Sequence, residues 1–100
     1  MSRRRFEEHV RRALDSLPPQ VARALENVAV VVEEEDPGLL GLFEEAPYLP
    51  AKVTVYRRPL EEDFGDDPDL LEHEIRITVL HELAHYFGID EGRLDELGYS

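Results

Sequence analysis

The chain has 100 residues and no cysteine, with 23 acidic side chains against 11 basic ones and a formal net charge of −12. That length makes one domain, residues 1–100, with a modest core; the charge argues against nucleic acid or anionic membranes as partners, and the missing thiols exclude disulfide frameworks and thiolate zinc clusters. The arginines at the start resemble the charged region of a signal peptide, but no apolar run of the needed length follows and no stretch approaches a membrane span, so the sequence predicts a soluble, cytoplasmic protein.

Ser2 has the chemistry of an N-cap for a first helix, in which Phe6, Val10, Ala13, Leu14 and Leu17 recur at helical spacing. Residues 1–26 carry six arginines against four acids, which reads as a solvated helix face. His9, beside the apolar stripe, reads as a partly exposed structural residue. Pro18-Pro19 ends the helix, because the residue before a proline is pushed out of the helical region, and a short second helix is expected over residues 20–26. Val28-Ala29-Val30-Val31-Val32 is apolar without alternation, the pattern of a strand covered on both faces, and is expected to be the central strand. The acidic run Glu33-Glu34-Glu35-Asp36 and the Pro37-Gly38 turn signal close it; its spacing fits no calcium loop.

Leu39-Leu40-Gly41-Leu42-Phe43 is short, apolar and interrupted by glycine. It reads as an edge strand, as a loop over the site, or as leucines given to the core. A free strand edge can also take an extended peptide as an extra strand. Lys52-Val53-Thr54-Val55-Tyr56-Arg57 alternates as a half-buried strand, and Pro59 is expected to stop it. Residues 61–69 read as an acidic loop that ends in a helix start, with Asp67 as cap and Pro68 in the first position. The helix over 68–87 would be about 30 Å long. Glu72 and Arg76 mark an exposed side early in it, and its last turns are apolar nearly all round.

That end of the helix carries His81-Glu82-Leu83-Ala84-His85-Tyr86-Phe87-Gly88-Ile89-Asp90-Glu91, an H-E-x-x-H-x-x-G-x-x-E pattern. At about 100° per residue, His81 and His85 lie one turn apart on one face, so two imidazoles converge on a single metal. Glu82 is turned one step away, beside the position of a water on the metal's open side, which is where a general base belongs. Gly88 lets the chain leave the helix and double back. Glu91 is then the expected third ligand, ten residues after the first histidine, and Asp90 is its rival. Zinc with three protein ligands keeps a position for water, whose pKa falls from about 15.7 to about 7, so a hydroxide-like nucleophile exists at neutral pH. Thr78 falls on the His81 face, close enough to support a ligand, with packing as its expected role, while Tyr48, Tyr86 and Tyr99 are oxyanion-stabilising candidates by type alone and read first as packing residues.

With these residues the chain resembles the small bacterial zincin-like metallopeptidases, minimal domains of about this size. The resemblance rests on His81-Glu82-x-x-His85-x-x-Gly88, on Val53-Thr54-Val55-Tyr56-Arg57-Arg58-Pro59-Leu60 leading to Phe64, and on Leu40-Gly41-Leu42-Phe43. It implies a compact α+β zincin-like fold, a few helices packed on a small twisted sheet, with the metal site on the long C-terminal helix. It also implies zinc on His81 and His85 and Glu82 as acid/base. The family's third position is usually a shorter acid than Glu91, which keeps Asp90 in play.

The expected function is hydrolysis of peptide or protein substrates by a zinc metallopeptidase. Its alternative is a non-catalytic zinc-binding structural or interaction module, which would close the metal with four protein ligands and have no use for Glu82. An acidic partner-binding domain without metal is a third possibility, distinguished by metal analysis at a pH where the histidines are neutral. Oligomeric state, substrate and cleavage preference leave no mark in the sequence.

Overall fold

The computed structural model describes residues 1–46, 49–87 and 96, and for residues 46, 49 and 85–87 the backbone alone. In chain order come α1 (Arg3–Asp15), α2 (Pro19–Ala24) with a 3₁₀ turn at Leu25–Asn27, β1 (Val28–Glu33), β2 (Gly41–Ala46), β3 (Leu49–Tyr56), α3 (Arg57–Phe64) and α4 (Pro68–Phe87). The strands form one mixed sheet in the order β1-β3-β2, with β1 parallel and β2 antiparallel to β3. α4 packs against α1, α3, β2 and β3, so this α+β fold is assembled around the helix that carries the histidine motif.

α1 starts as its sequence suggests: the Ser2 hydroxyl accepts the Arg5 N–H at 3.2 Å, satisfying a donor that has no partner inside the helix. Phe6, Val10 and Ala13 are buried on the stripe. His9 is buried with them, at 3 % exposure, where a partly exposed residue was expected. Its Nδ1 lies 2.6 Å from Oε2 of Glu72 on α4, and that partner offsets the cost of taking the ring out of water. The side of α4 marked by Glu72 and Arg76 is therefore the α1 contact and not a solvent face. Arg76 donates to the Ser16 hydroxyl at 2.8 Å, across the same seam.

The expected strand order is corrected. The valine run forms β1 at the edge of the sheet, while the alternating segment forms the central β3, in which Val53, Thr54, Val55 and Tyr56 are all buried. Val28, Val30 and Val32 turn toward the core, but Ala29 on the other face is exposed and Val31 is half-buried. Apolar composition on a strand's second face thus does not mean that the face is covered. At the end of β1, Glu34 receives Arg57 Nε at 2.9 Å, and Arg57 also donates to the Met1 carbonyl at 2.7 Å and to Glu61 at 3.2 Å. The Arg57 hydrogen bond holds the Glu34 carboxyl below its usual range.

β3 ends at Tyr56, ahead of Pro59, and the proline sits inside the first turn of α3, a helix that takes up residues 61–64 of the expected acidic loop. A proline there removes an N–H that would have found no acceptor in the helix anyway. Leu60 is fully buried and Phe64, one turn later, packs against the core. α4 begins at Pro68 as expected, with Asp67 Oδ1 accepting the N–H groups of Asp69 and Leu70 at 3.1 and 3.2 Å. No helix among the described residues is long and apolar enough to cross a membrane.

Candidate active site

The C-terminal half of α4 is gripped by the core through Ile75, Val79, Leu80, Leu83 and Ala84, all buried. That grip fixes the helix rotation; His81 and Glu82 are both half-buried, and Glu82 reaches β2. His85 continues the same helix four residues on. The side chains of His85 and Tyr86 lie outside the described residues, as do Tyr48, Gly88, Asp90, Glu91 and Tyr99. Among the described residues no three His, Cys, Asp or Glu side chains gather in a set able to hold a metal.

His81 Nε2 is buried and has no hydrogen-bond partner, and no other side-chain atom among the described residues is left this way. An unsatisfied buried polar group costs about 1–3 kcal/mol, so native proteins seldom leave one without a use for its lone pair. An imidazole nitrogen with no hydrogen-bond partner is able to ligate a metal, and the donor types on this helix, nitrogen with a carboxylate next to it in sequence, suit zinc.

Glu82, the next residue, is not a second arm of the same grip. Its Oε2 accepts the backbone N–H of Phe43 on β2 at 3.0 Å, so the carboxylate is turned toward the edge of the sheet. From Gly41 on, the glycine-interrupted segment of the sequence is a strand, and it lies against α4. Its leucines are not core: Leu40 is exposed and Leu42 half-buried. Gly41 is buried, and a Cβ built on it would stand 2.6 Å from Thr78 Cγ2 and 3.6 Å from Glu82 Cγ. Thr78 has the packing role expected of it, since its hydroxyl donates to the Glu74 carbonyl at 2.9 Å while its methyl meets β2. The Phe43 amide is the site component that the sequence reading did not identify. Its only trace there is a glycine in an apolar run, which signals close approach without saying to what.

A family model described as a zincin-like metallopeptidase matches residues 22–99. The matched span takes in the whole sheet, α3 and α4 with its histidines, and leaves out α1. No curated protein matches the chain.

Proposed function

The chain belongs to the zincin-like metallopeptidase family, and on that premise we propose that it is a zinc-dependent peptidase whose general base is Glu82. The observation that carries this reading is the pairing of neighbours on α4: a buried histidine nitrogen with no hydrogen-bond partner among the described residues, followed by a carboxylate already oriented by a backbone amide. His81 and His85 would hold the metal, with Glu91 or its rival Asp90 completing the set. Zinc bound there supplies Lewis acidity, which brings the pKa of water toward about 7 and polarises a peptide carbonyl.

The proton work falls to Glu82. One carboxylate oxygen takes a proton from the attacking water as its oxygen bonds to the carbonyl carbon. The same carboxyl then hands that proton to the amide nitrogen as the C–N bond breaks, so a carboxylic acid and an amine leave and Glu82 returns to its starting state. Oε2 is engaged by Phe43, whereas Oε1 has no partner among the described residues, so Oε1 is the oxygen free to carry the proton.

The test is metal analysis of protein purified without chelator, combined with hydrolysis of an unfolded protein substrate. About one zinc per chain is expected, retained in Glu82→Gln with hydrolysis lost. Zinc-free protein at a pH where the histidines are neutral, or hydrolysis at the wild-type rate in Glu82→Gln, overturns the reading.

A further inference from the structure

The structure assigns to Gly41 and to the main chain of Phe43 the task of setting the Glu82 carboxylate, a positioning role that rests on the peptidase reading above. β2 is the outer strand on its side of the sheet. Backbone groups of an antiparallel strand alternate between facing the partner strand and facing away. Tyr56 N–H donates to the Leu40 carbonyl at 2.9 Å, which fixes the phase: Leu40, Leu42 and Glu44 face β3, and Gly41 and Phe43 face away from it. An outward N–H on an edge strand is ordinarily left to solvent. That of Phe43 goes instead to Oε2 of Glu82, 39 positions further along the chain.

A glutamate on a helix has several rotamers open to it. An N–H bond to a charged acceptor favours one placement over the rest by about 10- to 100-fold. With Oε2 held, Oε1 is presented in one direction, as proton transfer to a fixed reacting group requires.

Gly41 makes the contact possible. Its φ is not in the left-handed region, which among the described glycines only Gly38 occupies, so conformational freedom is not its use. Space is: a Cβ at Gly41 would meet Thr78 Cγ2 at 2.6 Å, the Thr54 carbonyl oxygen at 3.1 Å and Glu82 Cγ at 3.6 Å. Two of those walls are on α4 and one is the main chain of β3. With Thr78 opposite, a Cβ here forces β2 or the threonine methyl to move, two residues before Phe43, and so strains a bond that is already 3.0 Å long.

Gly41→Ala, Gly41→Ala/Thr78→Ser and Glu82→Ala, each in the full chain, test the assignment. The first readout is hydrogen exchange at the Phe43 amide by NMR, which needs neither metal nor substrate. Exchange should quicken about tenfold or more in Gly41→Ala and in Glu82→Ala. Serine at 78 removes the clashing methyl and keeps the hydroxyl bond to Glu74, so the double variant should recover most of the protection. The second readout is kinetic: in zinc-loaded Gly41→Ala, kcat should fall about tenfold or more with KM within about twofold, and the double variant should regain most of it. Unchanged Phe43 exchange in both Gly41→Ala and Glu82→Ala overturns the contact itself, and Glu82→Ala alone decides this should Gly41→Ala not fold. Fast exchange with wild-type kcat overturns the positioning role and leaves the peptidase reading standing. Zinc-loaded wild-type protein that hydrolyses no peptide overturns both.

Discussion

Replacing His81 with leucine separates what the imidazole does for the fold from what it does for a metal. Among the described residues the buried Nε2 has no hydrogen-bond partner, and without a metal such a neutral polar group carries a penalty of about 1–3 kcal/mol. Because His81 as a whole is only half-buried, the lower end of that range, about 1 kcal/mol, is the appropriate figure. Leucine fills similar space without the nitrogen. Metal-free His81→Leu should therefore unfold about 4–8 °C above metal-free wild type, the shift that about 1 kcal/mol produces in a domain of this size. Zinc reverses the order. At about 100 times its Kd it adds about 2.7 kcal/mol to a chain that binds it and nothing to one that does not, so wild type should rise by about 10–20 °C and overtake the variant. Thermal unfolding followed by circular dichroism, once with chelator and once with excess zinc, reads both arms. A metal-free variant clearly less stable than metal-free wild type would mean that Nε2 has a stabilising partner in the fold. Equal stabilisation of the two proteins by zinc would remove His81 from the ligand set.

Leu60→Ala should cost about 2–5 kcal/mol in denaturant unfolding, since Leu60 is fully buried at the seat of α3; a cost below about 1 kcal/mol would show that α3 is not anchored in the core. Burial, and after it the charges of Asp36, Glu44 and Glu33, raise the Tyr56 hydroxyl above its ordinary value near 10.0. As pH rises, the unfolded chain ionises first, so this contribution is fully present below about pH 10 and is lost as pH climbs through the folded value. Tyr56→Phe should flatten that alkaline loss in stability measured between about pH 9 and 12, and an identical slope in the two proteins would count against it.

What the sequence disclosed of the fold follows from how local the determining forces are. α1 and α4 are set by period, cap and proline, all contained within a few residues, and Ser2, Asp67 and Pro68 act where they were expected to. The strands are different. Which strand is central depends on what lies over each face, and neither the exposed Ala29 nor the buried Thr54 advertises its surroundings by type. α3 was missed because residues 61–69 read by composition as an acidic loop; Pro59 is compatible with a first helical turn, and the Leu60 to Phe64 spacing was the signal of a helix. His9 was misread because its burial depends on Glu72, 63 positions away, whose charge suggested solvent.

The same distinction runs through the site. His81 and Glu82 were legible because one helix fixes their relative placement, whereas the Phe43 amide belongs to the backbone of a segment that any apolar sequence of strand propensity could have formed. Glu82 is therefore held in two ways, by α4 from below and by β2 from the side, and the two holds have different origins. The first comes from Val79, Leu80, Leu83 and Ala84 pinning the helix, so it is coupled to global stability. The second depends on the missing side chain at Gly41, and because β2 is an edge strand, loss of its contact with α4 would leave its pairing with β3 in place, although Phe43 also packs against the core. Core substitutions in α4 should consequently lower stability and site geometry together, while changes at Gly41 should loosen the carboxylate in a chain that remains folded.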